Sequence, residues 1–261
     1  YAGAPWVDLD RIEAEIEELL PRDPNQAERF FLNRIVAGAD RAFDVEAYRE
    51  LASDYVIPKG ALVTVGFDGS LYNDATGLVV TEVDTGHQHM AGVWERPKNL
   101  PPDDDSWMVP VVEVNEAVAA IFEQWKVWRM YADPPFWEST VAAWGGKYRG
   151  SDRKPAVVPW WTNRWRPIGV ACRALGSAIR AGEVHHQVDA GDDVLTRHLR
   201  NAVRRNVNAR DDDGRPLWTL AKSAPGRKID AAMGLVLAWE ARRDAVAAGV
   251  KSKSKAEAFF L

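Results

Sequence analysis

Three aspartates, far apart in the chain, each stand where an apolar segment meets a polar edge. Asp68 closes the run Ala61-Leu-Val-Thr-Val-Gly-Phe67, and Asp133 closes Lys126-Val-Trp-Arg-Met-Tyr-Ala132. Asp230 opens the apolar stretch Ala231-Ala-Met-Gly-Leu-Val-Leu-Ala-Trp239. Desolvating a carboxylate costs several kcal/mol unless a partner compensates its charge. Three converging carboxylates repel one another unless they share cations. The pattern therefore points to divalent metal and to metal-assisted phosphate chemistry.

Each acid has a local device. Gly69 after Asp68 is expected to let the backbone bend away and leave the carboxylate exposed. Pro134 ends the strand before it and holds Asp133 extended. Asp230 falls in a first helical turn, where the helix dipole favours an anion. Asp74, in the turn Asn73-Asp-Ala-Thr76, is a candidate helper.

The elements that must position these acids follow from periodicity. Apolar residues 9, 12, 16, 19 and 20 predict a helix over 8–20, stopped by Pro21 and Pro24. Further helices are expected over 25–37 and 44–53. Strands are expected over 61–67, 77–83 and 87–95, forming an antiparallel meander. A helix over 111–125 then crosses over to a strand over 126–132. Next come a helix over 136–145, a strand over 156–160, and helices over 165–182 and 192–206. Asp211-Asp-Asp-Gly214 joins two short strands near 206–210 and 216–221, and a helix over 228–248 closes the domain. This order predicts an α/β, ribonuclease H-like mixed sheet with an α-helical lead-in. The first and fourth strands would be neighbours, setting Asp68 beside Asp133, with the last helix adding Asp230.

With 261 residues and 46% hydrophobic content the chain has ample material for a core. No apolar run approaches the ~20 residues that span a bilayer, and no basic-then-apolar leader opens the sequence, so no membrane partner is expected. One cysteine, Cys172, excludes an internal disulfide and fits a reducing cytoplasm. The net charge of −5 conceals a charge of −9 over residues 61–144 and +9 over residues 145–228. A basic block beside an acidic one suits a polyanion next to a metal. Candidates for sequence-indifferent phosphate contacts are Lys147, Arg149, Arg153, Lys154, Arg164, Arg166, Arg197, Arg200, Arg204 and Arg205. Of these, residues 197, 200 and 204 would share a helical face. His87 and His89 share a strand face without a third ligand, and His185-His186 is expected to be solvated at a helix end. Most of the twelve tryptophans are expected in the core, with one or two free to stack on bases or sugars.

The set Gly66-Phe-Asp-Gly-Ser70, Tyr131-Ala-Asp-Pro-Pro135 and Lys228-Ile-Asp-Ala-Ala-Met233 resembles the C-terminal nuclease domain of tailed-phage large terminase subunits. The resemblance covers about 58–248, with a weaker likeness of Asn25-Gln-Ala-Glu-Arg-Phe-Phe-Leu-Asn33 to the segment joining motor and nuclease in that family. It implies that Asp68, Asp133 and Asp230 bind two Mg²⁺ or Mn²⁺ ions, with Asp68 bridging them about 3.5–4 Å apart. It also implies supporting places for His198, Asn201 and Lys222. The expected activity is cutting of double-stranded DNA in genome packaging, in the host cytoplasm. The implied partners are the ATPase motor domain, the portal protein and the small terminase subunit. No Gly-x-x-x-x-Gly-Lys-Ser/Thr loop occurs, so the motor is expected to lie outside these residues. With its Tyr start, the chain reads as a linker remnant over 1–57, a nuclease domain over 58–250 and a flexible tail over 251–261.

Other readings start from the same residues. Gly66-Phe-Asp-Gly-Ser70 also resembles the first phosphate loop of sugar-kinase and actin-type ATPases, but the second related half is lacking. A junction resolvase or transposase would share the acids. A tryptophan-rich binding module is the non-enzymatic reading.

Overall fold

The computed structural model describes residues 8–19, 41–72, 74–97, 99–101, 106–187 and 194–251. The chain divides into two compact units, residues 1–41 and 42–261. In the first, helix α1 spans Leu9–Leu19, close to the expected 8–20. Asp8 accepts the Arg11 N–H at 3.1 Å, and Arg11 pairs with Glu15 one turn on. The helix expected over 25–37 and the tail over 252–261 lie outside the described residues.

The second unit opens with α2, Val45–Glu50, whose N-cap Asp44 accepts the Ala47 N–H. Residues 42–57 of the expected lead-in belong to this unit, with Phe43, Val45 and Tyr48 in its core. The helix expected over 44–53 is shorter, because residues Ala52–Ser53 form a strand, β1. Then come β2 (Leu62–Gly69), β3 (Ala75–Glu82), β4 (His87–Glu95), α3 (Val111–Gln124), β5 (Lys126–Ala132), α4 (Glu138–Lys147) and β6 (Val157–Pro159). These are followed by α5 (Trp165–Arg180), β7 (His185–Gln187), α6 (Val194–Asn201), β8 (Ala202–Arg210), β9 (Pro216–Lys222) and α7 (Asp230–Ala247).

Seven strands form one mixed sheet in the order β1-β7-β4-β3-β2-β5-β6. The meander β2-β3-β4 is antiparallel, and β5 joins β2 in parallel, as the ribonuclease H-like order requires. β2 alternates at period two. Val63, Val65 and Phe67 enter the core beneath α3 and α4 with Val114, Val118, Ile121 and Trp144. Thr64, Gly66 and Asp68 therefore point to the opposite face, which α7 covers.

Two expectations are corrected. The helix expected over 192–206 ends at Asn201, and residues 202–210 form β8 of a separate two-stranded ribbon with β9. Asn206 and Asn208 favour helix weakly, and Val203, paired with Ala221, belongs to a ladder that local sequence does not display. Arg204 thus does not continue the helical face of Arg197 and Arg200. His185 and His186 are in a strand, not at a solvated helix end. His186 is buried and its ring stacks on Tyr48 at 4.1 Å.

Cys172 lies inside α5 and is fully buried, and burial pushes its thiol up to about 12. The thiolate is the reactive form, so the native protein should leave an aromatic disulfide reagent unreacted. Labelling in urea should follow global unfolding; modification within minutes in native buffer would show that α5 is not seated as described.

Candidate metal centre

Two registers bring the acids together. The first is strand against helix. Two strand residues advance about 6.6 Å and four helical residues about 6 Å, so β2 and α7 can keep step over several contacts. Thr64 Oγ1 donates to Ala238 O at 2.9 Å. One step along, Gly66 faces Gly234, so closely that a Cβ on Gly66 would lie 2.0 Å from Gly234 O. The next step sets Asp68 level with Asp230, whose charge acts on it directly. On β3, Gly77 meets Ala231 in the same way, with a virtual Cβ 2.6 Å from Ala231 Cα. The small residues seat the helix on the strands and carry Asp230 to the sheet.

The second register is strand against strand. Between the pairs Val63–Val127 and Val65–Met130, β2 advances two residues and β5 three. This bulge shifts the pairing by one, so Phe67 faces Ala132 and the Asp133 N–H donates to Phe67 O at 3.0 Å. Without it Asp68 would stand level with Ala132. With it, Asp68 and Asp133 share the α7 face on neighbouring strands.

The electrostatics are those of crowded acids. Burial raises Asp68 well above the usual carboxylate range, and Asp230, Asp133 and Asp74 raise it further. Burial also raises Asp133, against the lowering hydrogen bonds of the Thr162 hydroxyl and N–H. Asp230 is pushed up to about 7, by burial first and then by Asp74.

The donor set consists of hard carboxylate oxygens on rigid elements, which suits Mg²⁺ or Mn²⁺. Among the described residues, however, no three His, Cys, Asp or Glu side chains are arranged to hold an ion as they stand. The reason is visible in their partners. Asp133 is turned toward Thr162, whose N–H and hydroxyl donate at 3.2 and 2.6 Å. Asp230 accepts the Ile229 N–H at 3.3 Å.

The expected helpers have definite places. His198 is fully buried; its Nδ1 accepts the Ala231 N–H at 3.0 Å, which leaves Nε2 to donate to Glu95 at 2.7 Å. Asn201 donates to Lys228 O at 3.0 Å. Both residues thus hold the first turn of α7, and with it Asp230. Lys222 pairs with Asp74, and Lys228 does so at 3.3 Å. Burial raises Asp74, but the two lysines outweigh it and bring the carboxyl below its usual range. Gly69 is corrected: β2 continues through Asp68 to Gly69 without a left-handed turn. What Gly69 supplies is room, since a Cβ would lie 2.7 Å from Thr76 Oγ1.

Sequence reasoning missed Thr162, Lys228 and Glu95. Each acts through a partner 29 or more residues away, which no local pattern marks. Glu95 also pairs with Arg197 at 2.7 Å, and these partners bring its carboxyl down to about 2. A carboxyl depressed in the fold stabilises it fully above the unfolded value near 4.5, and the contribution disappears as pH falls toward 2. That contribution is roughly 2–3 kcal/mol for a side chain mostly out of solvent. Glu95→Gln should therefore be less stable at pH 7 and show a flatter acid decline in urea melts. Parallel pH curves for the two proteins would refute the pairing.

The basic candidates separate. Ser151 N–H donates to Val127 O at 2.9 Å, which places Arg149, Arg153 and Lys154 beside the far end of β5. Six strand residues, roughly 20 Å, separate Val127 from Asp133. Lys147 sits at the end of α4, over the Tyr148 ring. Arg197 is engaged with Glu95, while Arg200 is exposed. Arg204 lies over Trp218 at 4.8 Å, and Arg205 is exposed; both lie two or three residues from the pair Ala202–Lys222. Arg164 and Arg166 are exposed within four residues of Thr162. His87 is buried and its ring is pushed down to about 4 by burial and the neighbouring histidines. None of the described helices is long and apolar enough to cross a membrane.

No protein-family model matches the chain. The Gene 13 protein of Mycobacterium phage L5 is 28% identical over 258 residues, covering 92% of this chain and 41% of that protein. The chain thus spans less than half the length of that curated relative. The large terminase nuclease from thermophilic phage G20c aligns with 77% of this chain and 97% of its own, at 15% identity and a TM-score of 0.49. The HK97 bacteriophage large terminase aligns with 90% of this chain and 51% of its own, at 21% identity and a TM-score of 0.58. By fold, the chain is similar to about half of a phage large terminase.

Proposed function

We propose that this chain is the nuclease part of a phage DNA-packaging terminase and hydrolyses double-stranded DNA with divalent cations. The observation that carries the reading is the double register that levels Asp68 with Asp133 across two strands and with Asp230 on the helix above. The fold shared with the HK97 large terminase supports it.

Asp68, Asp133 and Asp230 would hold two Mg²⁺ or Mn²⁺ ions. Bound there, such ions supply an activated water near neutral pH and charge to stabilise the leaving oxygen. The chain's own residues set the geometry. Thr162 orients Asp133, His198 and Asn201 fix the turn that carries Asp230, and Lys222 brings a positive charge to the edge of the site. Arg164, Arg166, Arg204 and Arg205 would contact phosphates without reading sequence. The partners on this reading are the motor domain, the portal protein and the small terminase subunit in the host cytoplasm. The test is nicking of supercoiled plasmid in Mn²⁺ by wild type beside Asp68→Ala and Asp230→Ala. Equal nicking by all three removes the assignment.

A further inference from the structure

The turn after Asp133 carries an aromatic ring in an unfavourable place. Phe136 is 63% exposed, and its φ is +65°, in the left-handed region that residues with a Cβ rarely adopt. The Trp137 N–H closes this turn onto Pro134 O at 2.7 Å. Phe136 is then the third residue of the turn, where positive φ normally selects glycine. The ring is mostly exposed, and its backbone is strained. An outlier of this kind, three residues from a site carboxylate, points to a contact with another molecule.

A second exposed ring stands close by in the chain. Trp165, 49% exposed, begins α5 three residues after Thr162, which binds Asp133 through both its N–H and its hydroxyl. Arg164 and Arg166 flank it and are exposed, Arg166 pairing with Asp212. The edge around Asp133 thus offers flat apolar rings beside guanidinium groups. A ligand with a charged backbone and flat bases satisfies both.

We propose that Phe136 and Trp165 form a stacking platform for a nucleobase next to the scissile phosphate, so that the strand is engaged with its bases locally unpaired. The inference rests on the nuclease reading above and adds how its double-stranded substrate is engaged: at a stretch whose bases are locally unpaired. Stacking on aromatic side chains tolerates any base, which suits a site without sequence readout. An inserted ring also helps to unstack neighbouring base pairs in a duplex.

The experiment is fluorescence anisotropy with a labelled 12-nucleotide single strand and its duplex, in Ca²⁺, for wild type, Phe136→Gly and Trp165→Ala. Each variant should bind the single strand on the order of tenfold more weakly. Phe136→Gly should melt at or above the wild-type temperature, because glycine relaxes the turn. An oligonucleotide of abasic sites should bind wild type as weakly as it binds the variants. Equal single-strand affinity of wild type and Phe136→Gly overturns the platform; if wild type still cuts plasmid in Mn²⁺, the nuclease reading stands and the ring becomes a protein contact. If wild type neither binds DNA nor cuts plasmid, the nuclease reading falls and the platform falls with it.

Discussion

Asp68→Asn is expected to abolish Mn²⁺-dependent plasmid cleavage and, in EDTA, to melt at a higher temperature than wild type. Asn keeps the shape and removes the charge. On the proposed reading Asp68 is a metal ligand, and because metal ions contribute several kcal/mol of transition-state stabilisation, its loss should lower the rate by on the order of 10³-fold or more. The stability change has the opposite sign. Burial and three neighbouring carboxylates all oppose the charged form of Asp68. Asn carries no charge to desolvate. Relief of such a functional-site penalty is commonly worth about 1–2 kcal/mol, or some 2–8 °C for a chain near this size. In Mn²⁺ the order should reverse, because ligand at 100 times its dissociation constant stabilises by about 2.7 kcal/mol. Melting curves in EDTA and in Mn²⁺, read beside cleavage, check all three parts. A variant that melts lower than wild type in EDTA would mean the aspartate is structural.

Gly66→Ala is the second large effect, expected to cost about 4 kcal/mol or more and to leave little folded protein at 37 °C. The added Cβ would lie 2.0 Å from Gly234 O and 2.4 Å from Ala238 N. Both are backbone atoms of α7, so no side chain can rotate away and the helix itself must lift. Lifting it breaks the Thr64–Ala238 hydrogen bond and opens the core of Leu235, Val236 and Ala238. Losses of this size take up much of a domain's usual 5–15 kcal/mol. Gly146→Ala is the control. It lies near the end of α4 with nothing within 4 Å of its added Cβ, so Ala should be neutral or stabilise by up to about 1 kcal/mol. Urea denaturation of both decides the matter. A Gly66→Ala protein within 1 kcal/mol of wild type would mean that α7 is not seated on β2 this closely.

Much of this architecture was legible from local pattern. The meander, the crossover helix α3, the strand before Asp133 and the closing helix α7 all follow from periodicity and from proline and small residues. Those signals lie within a few residues of the structure they specify. β1 and β7 escaped because strands of two and three residues exist only through their partners. β8 was read as helix because its pairing with β9 is decided across the ribbon. The same limit hid Thr162, Lys228 and Glu95, whose roles depend on groups distant in the chain.

The three aspartates show where the division falls. Their residue types and their places at the edges of apolar segments were written in the chain, and so was the small-residue helix that carries Asp230. Which acid faces which was decided only on folding. One extra residue in β5 moves Asp133, rather than Ala132, level with Asp68, and the step of Thr64, Gly66 and Asp68 against Ala238, Gly234 and Asp230 completes the group. A period-two pattern records the direction of each side chain along its own strand, but strand register and helix seating are settled by contacts between distant segments.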